Sequence, residues 1–158
     1  MVKTLSLDTQ YSSLILNQKL NLLLFESITV TFMDITFINY NNRYSNNFYE
    51  LNIEWLEKYF SIENYDRSVL SNPEKYIINK GGVILFAKLN EKIIGTAALM
   101  PTKEKKVYEL TKMAVNPDFR NNKIGQKILK EMICVSKKMK LTKIILYSNR
   151  KLKNAIYL

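Results

Sequence analysis

The chain contains no histidine and a single cysteine, Cys134. That removes Ser-His-Asp and Cys-His nucleophilic catalysis, His-ligated zinc and an intrachain disulfide together. Carboxylates, lysines, tyrosines and backbone amides are left to do chemistry, and they gather in one stretch, VYELTKMAVNPDFRNNKIGQ from Val107 to Gln126. An apolar run ends at Val115, Asn116-Pro117 turns the chain, and a basic loop with Arg120 and Lys123 enters a helix at Ile124-Gly125. The first turn of a helix carries N–H groups without helical partners, and its dipole adds positive potential. With glycine at 125, a phosphate or pyrophosphate can approach the backbone. A loop of this kind either takes such an anion or stands solvated as a basic helix cap.

Lys+Arg number 24 against 14 Asp+Glu, a net charge of +10. Such a surface attracts polyanions. Neither helix-turn-helix, zinc nor aromatic RNA-binding patterns accompany it, so nucleic acid is not an expected partner. No apolar stretch reaches the roughly 18–20 residues of a membrane span. The leader around Leu14–Phe25 is broken by Asn17, Gln18, Lys19 and Asn21 and makes a poor signal peptide. These features predict a soluble, cytoplasmic protein without a membrane partner.

The 158 residues suffice for one core. Residues 1–34 read as an N-terminal extension, or Met33 opens the domain; residues 35–158 read as the domain itself. Ile35–Tyr40 is a strand. Phe48, Leu51, Trp55 and Tyr59 recur at helical spacing. Ser61–Asp66 is a loop, and Pro73 opens a short helix entered at Asn72 or Ser71. Val83–Leu89 and Lys92–Met100 form a hairpin about Asn90-Glu91, with Gly95 marking a bulge or a close approach. In the next strand, Val107–Val115, alternation sets Glu109, Thr111 and Met113 on one face, opposite Leu110, Lys112 and Ala114. Ile124–Met139 is an amphipathic helix with Ile124, Ile128, Met132, Val135 and Met139 along one stripe, and Cys134 at its buried edge as an inert core thiol. Leu141–Tyr147 is a further strand. This order predicts a mixed α/β (α+β) layer of helices packed on a sheet.

Val115-x-Pro117-x-x-Arg120-x-x-x-Ile124-Gly125-x-x-Ile128-Leu129 resembles the acetyl-CoA loop of the GNAT superfamily of N-acetyltransferases, and Glu109–Val115 resembles that family's fourth strand. The resemblance spans roughly Ile35 to the C-terminus. It implies a mainly antiparallel central sheet with helices on both faces. It also implies direct transfer of acetyl from acetyl-CoA to a primary amine. The diphosphate would rest on the amides of Asn121, Asn122, Lys123, Ile124, Gly125 and Gln126 with help from Arg120. The pantetheine arm would pair with Met113, Ala114 and Val115, aided by Asn149 and Asn154, and Glu109 would be the base. The amine pocket would be lined from Trp55 through Tyr59 to Tyr65.

Two departures from the family pattern stand out. Lys123 occupies the place of the first loop glycine, which keeps one of two close-approach positions. The chain also stops at Leu158, before the place of the family's thiolate-protonating tyrosine and closing strand pair. A C-terminally truncated fold is therefore expected, with an uncovered sheet edge that invites a homodimer. The alternative function is a non-catalytic acyl-CoA-binding or partner-binding domain of the same fold.

Overall fold

The structure, a computed structural model, describes residues 34–59 and 62–147. All of its elements belong to the unit Ile35–Leu158. Strand β1 (Ile35–Asn39) leads through a 3-10 turn at Asn42–Tyr44, where Asn41 Oδ1 accepts from the Arg43 N–H at 3.1 Å, into helix α1 (Ser45–Tyr59). Helices α2 (Asn64–Ser71) and α3 (Pro73–Tyr76) follow. The loop expected to run to Asp66 thus ends earlier, because Asn64–Asp66 form the first turn of α2. Pro73 takes the first position of α3, where its missing N–H costs nothing.

Strands β2 (Val83–Leu89), β3 (Lys92–Pro101) and β4 (Val107–Val115) are consecutive and antiparallel. Helix α4 (Ile124–Lys138) then crosses over to β5 (Lys143–Leu146), which runs parallel to β4. The sheet order is β1-β2-β3-β4-β5. This is the mixed, mainly antiparallel sheet expected. β3 is buried from Ile93 to Leu99, and a strand covered on both faces reads as an unbroken apolar run. On one face Phe86, Ile93 and Ala98 pack with Phe48 and Leu51 of α1, Val69 and Leu70 of α2, and Ile77. On the other, Leu85, Ala97, Leu99 and Leu110 pack with Ile124, Ile128 and Met132 of α4. Helices therefore cover both faces.

Gly95 fulfils both readings of a strand glycine. The β2–β3 register slips between Ala87 and Lys88, and a Cβ on Gly95 would stand 2.7 Å from Ile128 Cδ1. The absent side chain lets α4 lie close on the sheet. On α4 itself, Ser136 completes the buried stripe, its hydroxyl donating to the Ile133 carbonyl at 2.8 Å, while Val135 and Met139 are half-buried. Cys134 is exposed. The expectation of a core thiol fails because position 134 lies about 200° around the helix from the Met132 side.

Candidate active site

The site grows out of a defect in β4. Thr96 faces Ala114 and Ala98 faces Thr111, so Ala97 of β3 stands opposite two residues, Lys112 and Met113. The extra residue is a β-bulge, and Lys112 adopts a left-handed φ of 50° to make it. The bulge shifts the side-chain phase by one. Before it, Glu109 pairs with Met100 and Thr111 with Ala98, both on the α1–α3 face. After it, Met113 and Val115 join Leu110 on the α4 face, and Ala114 points toward α1–α3. Strict alternation had put Met113 with Glu109 and Thr111, and Ala114 with Leu110. The bulge reverses both assignments.

β5 pairs only with Val107–Leu110. From Thr111 to Val115, β4 has β3 on one side and, among the described residues, no strand on the other. Sheet and fork thus leave a half-strand of backbone at Met113, Ala114 and Val115 without a described strand on that edge, the Val115 carbonyl accepting instead from Arg120 Nε at 2.9 Å. Glu109, opposite Ile145, stands one residue before the fork. It is half-buried, and its carboxylate has no ion pair or hydrogen bond among the described residues.

Beyond β4, Asn116 accepts from the Asp118 N–H at 3.0 Å and caps a 3-10 turn, Pro117–Phe119. The loop then reaches α4 through two left-handed residues, Asn121 (φ 66°) and Lys123 (φ 59°). Lys123 is the N-cap of α4 and makes no side-chain cap bond. The first helical bond runs from the Lys127 N–H to the Lys123 carbonyl at 3.1 Å. The amides of Ile124, Gly125 and Gln126 consequently have no acceptor among the described residues. Gly125 is half-buried, Asn121, Lys123 and Gln126 are exposed, and the Ile124 side chain is buried in the α4 core. The Ile124 side chain is therefore not available to a ligand.

The left-handed φ explains why a glycine suits position 123. A non-glycine residue pays roughly 1–2 kcal/mol in that region. Lys123→Gly is therefore expected to be about 1 kcal/mol more stable than Lys123→Ala, the reverse of the order in a helix interior. Denaturant midpoints of the two variants check it.

Arg120 was expected to reach for a phosphate. Its guanidinium instead folds back: Nε donates to the Val115 carbonyl at 2.9 Å, and Nη2 pairs with Glu54 of α1. A second ion pair joins β4 to the helices, Lys112 Nζ to Asp66 of α2 at 2.5 Å. Neither Glu54 nor Asp66 was visible in the sequence as a site residue, since no local spacing connects 54 with 120 or 66 with 112. The expected pocket residues are dispersed. Trp55 is half-buried against the α1–α3 core, and Tyr65 is 58% exposed with its ring edge-on to Tyr76 at 6.3 Å. Neither lines the groove of about 510 Å³ that runs along α1 past Tyr44, Glu50, Glu54, Lys92 and Asn116. The Tyr59 side chain, Asn149 and Asn154 lie outside the described residues.

Among the described residues, no helix is long and apolar enough to cross a membrane, and no cluster of metal-ligating side chains occurs.

Residues 45–156 match the model of the Acetyltransferase (GNAT) family. An acetyltransferase of the GNAT family from Staphylococcus aureus Mu50 is 30% identical, with a TM-score of 0.70 over 78% of each chain. An acetyltransferase from Streptococcus agalactiae is 24% identical, with a TM-score of 0.66 over 80% of each chain. A predicted acetyltransferase with acetyl-CoA from Clostridium acetobutylicum is 19% identical, with a TM-score of 0.62 over 78% of this chain and 86% of that one. The last two share the fold. No curated protein matches the chain.

Proposed function

The chain belongs to the acetyltransferase (GNAT) family, and from that premise we propose that it transfers acetyl from acetyl-CoA to a primary amine by direct attack. The observation that supports this most is the conjunction of an open half-strand, Thr111–Val115, with the unpartnered amides that begin α4. One offers a ladder edge to an extended arm, and the other offers donors to a diphosphate at the end of that arm. The donor set suits the group: main-chain N–H groups, a helix N-terminus, and a glycine at 125.

Acetyl-CoA, when bound, would supply the thioester carbon that the amine attacks, its C–S bond breaking as the C–N bond forms and CoA leaving as a thiolate that takes a proton from solvent. The rest is the work of this chain's own groups. Ile124, Gly125 and Gln126 would donate to the diphosphate, with Lys123 adding charge. The edge at Met113–Val115 would hold the pantetheine arm in register. A backbone N–H near Met113 or Val115 would stabilise negative charge on the thioester oxygen. Glu109 would accept the proton an ammonium must lose before it can attack. Glu109 projects from the α1–α3 face while α4 and its amides lie on the other, so amine and cofactor would meet across the sheet's fork.

A thermal-shift titration with acetyl-CoA tests the reading. Saturable stabilisation is expected, about 2.7 kcal/mol at a hundred times Kd. Gly125→Val should abolish most of it, because a branched side chain would occupy the path to the amides. Thiol release with a panel of primary amines then reads turnover. A flat titration in the unaltered chain removes the cofactor assignment.

A further inference from the structure

Arg120 is the residue whose observed contacts depart most from a ligand-binding role. The loop it opens contains two left-handed non-glycine residues within three positions. Such conformations persist only where the surroundings hold them. Between Arg120 and Ile124 the holds are few. No side chain of Asn121, Asn122 or Lys123 makes a hydrogen bond or ion pair among the described residues. At the far end Ile124 is sunk in the core, at 2% exposure. At the near end the Arg120 N–H donates to Pro117, and its side chain grips the Val115 carbonyl and the Glu54 carboxylate. The loop is thus pinned to the end of β4 and to α1 by one planar cation.

Resting on the reading above, we propose that Arg120 and Glu54 are positioning residues: Glu54 holds Arg120, and Arg120 holds the Asn121–Gln126 amides where the diphosphate needs them. Two features favour this over a direct phosphate contact. The Glu54 carboxylate neutralises much of the guanidinium charge that a phosphate would otherwise meet. Arginine's fork can also serve two acceptors at fixed angles, as a strap must, whereas lysine offers a point charge.

The two roles predict opposite signs. Glu54→Gln removes a negative charge close to an anion site. If Arg120 were a phosphate ligand, its release from Glu54 would tighten acetyl-CoA binding or leave it unchanged. If Arg120 is a strap, Glu54→Gln weakens binding on the order of tenfold, the scale of one charge-assisted hydrogen bond. Arg120→Ala then weakens it similarly, the double variant is little worse than either single one, and Arg120→Lys fails to rescue. Calorimetric titration of the four variants of the full chain with acetyl-CoA decides this. Tighter or unaltered binding in Glu54→Gln overturns the proposal, as does full rescue by Arg120→Lys. Amide hydrogen exchange without any ligand is the second readout. The amides of Arg120 and Lys127, whose bonds to the Pro117 and Lys123 carbonyls close the two ends of the loop, should exchange faster in Glu54→Gln and Arg120→Ala while the β2–β3 hairpin is unaffected. Equal exchange overturns the strap. If the unaltered chain binds no acetyl-CoA, the functional reading fails by itself and the exchange experiment still decides the strap.

Discussion

Replacing Glu109 by glutamine is expected to lower the acetylation rate at neutral pH by roughly 10²–10⁴-fold, the usual cost of losing a general base. Acetyl-CoA affinity should hardly change, because Glu109 lies on the sheet face opposite α4 and its amides. The geometry suits a base. Its carboxylate is half-buried without a partner among the described residues, one residue short of the point where β5 leaves β4. A glutamine keeps the size and loses only the ability to take a proton. The deficit should therefore shrink as pH rises toward the acceptor's own pKa, where free amine no longer needs the base. Rates for both proteins across about pH 7–10, an interval reaching the ordinary lysine amine near 10.4, test this. A loss of constant size across that range would make Glu109 a positioning residue and assign the proton elsewhere.

Gly82→Ala is expected to destabilise the chain by about 3 kcal/mol, at the upper end of overpacking effects. Its Cβ would come within 2.6 Å of the Leu99 carbonyl oxygen and 2.8 Å of that of Ile77. Both are main-chain atoms, one in β3 and the other accepting the Gly82 N–H at 2.9 Å. No side-chain rotation relieves such a clash, so β2 must shift against β3. The melting temperature should fall by roughly 6–12 °C at the 2–4 °C per kcal/mol of a chain this size. Gly95→Ala should cost less, since its nearest neighbour is the terminal methyl of the Ile128 side chain at 2.7 Å and the nearest main-chain atom, the Ala114 carbonyl oxygen, stands farther off at 3.2 Å. Equal losses at the two glycines would contradict this difference between backbone and side-chain contacts.

That contrast shows where reading from residue order succeeds. Local patterns carry local structure: Asn90-Glu91 between two apolar runs did make the β2–β3 hairpin, the Phe48–Leu51–Trp55 stripe did make α1, and Gly95 did mark a bulge with a close approach. The tight seat of Gly82 under Leu99, by contrast, depends on a strand seventeen positions away. The bulge at Lys112 is illegible in the sequence for a related reason. Alternation is a rule for regular strands, and nothing in LTKMAV announces an extra residue. It becomes visible only when β3 supplies the opposing register. Arg120 is legible as a loop residue, but its contact with Glu54 is not, because the sequence around it does not reveal that α1 delivers a carboxylate to its side. The loop itself, its glycine and the start of α4 were all legible, since capping and helix entry are decided within a few residues.

The sheet order has a consequence for how the chain assembles in time. β1 to β4 lie side by side in the order in which they occur, apart from the helices inserted between β1 and β2. The β2–β3–β4 meander closes only short loops, so its loop-closure entropy is small and its formation should be early and fast. β5 joins by a longer crossover through α4, and it joins β4 at Val107–Leu110 alone. The half-strand from Thr111 to Val115 thus gains β3 as a neighbour when the meander closes and no further described strand when β5 docks. A ligand pairing with that half-strand would engage an edge already formed. Its stabilisation would therefore appear mainly as faster folding, with the unfolding rate almost unchanged.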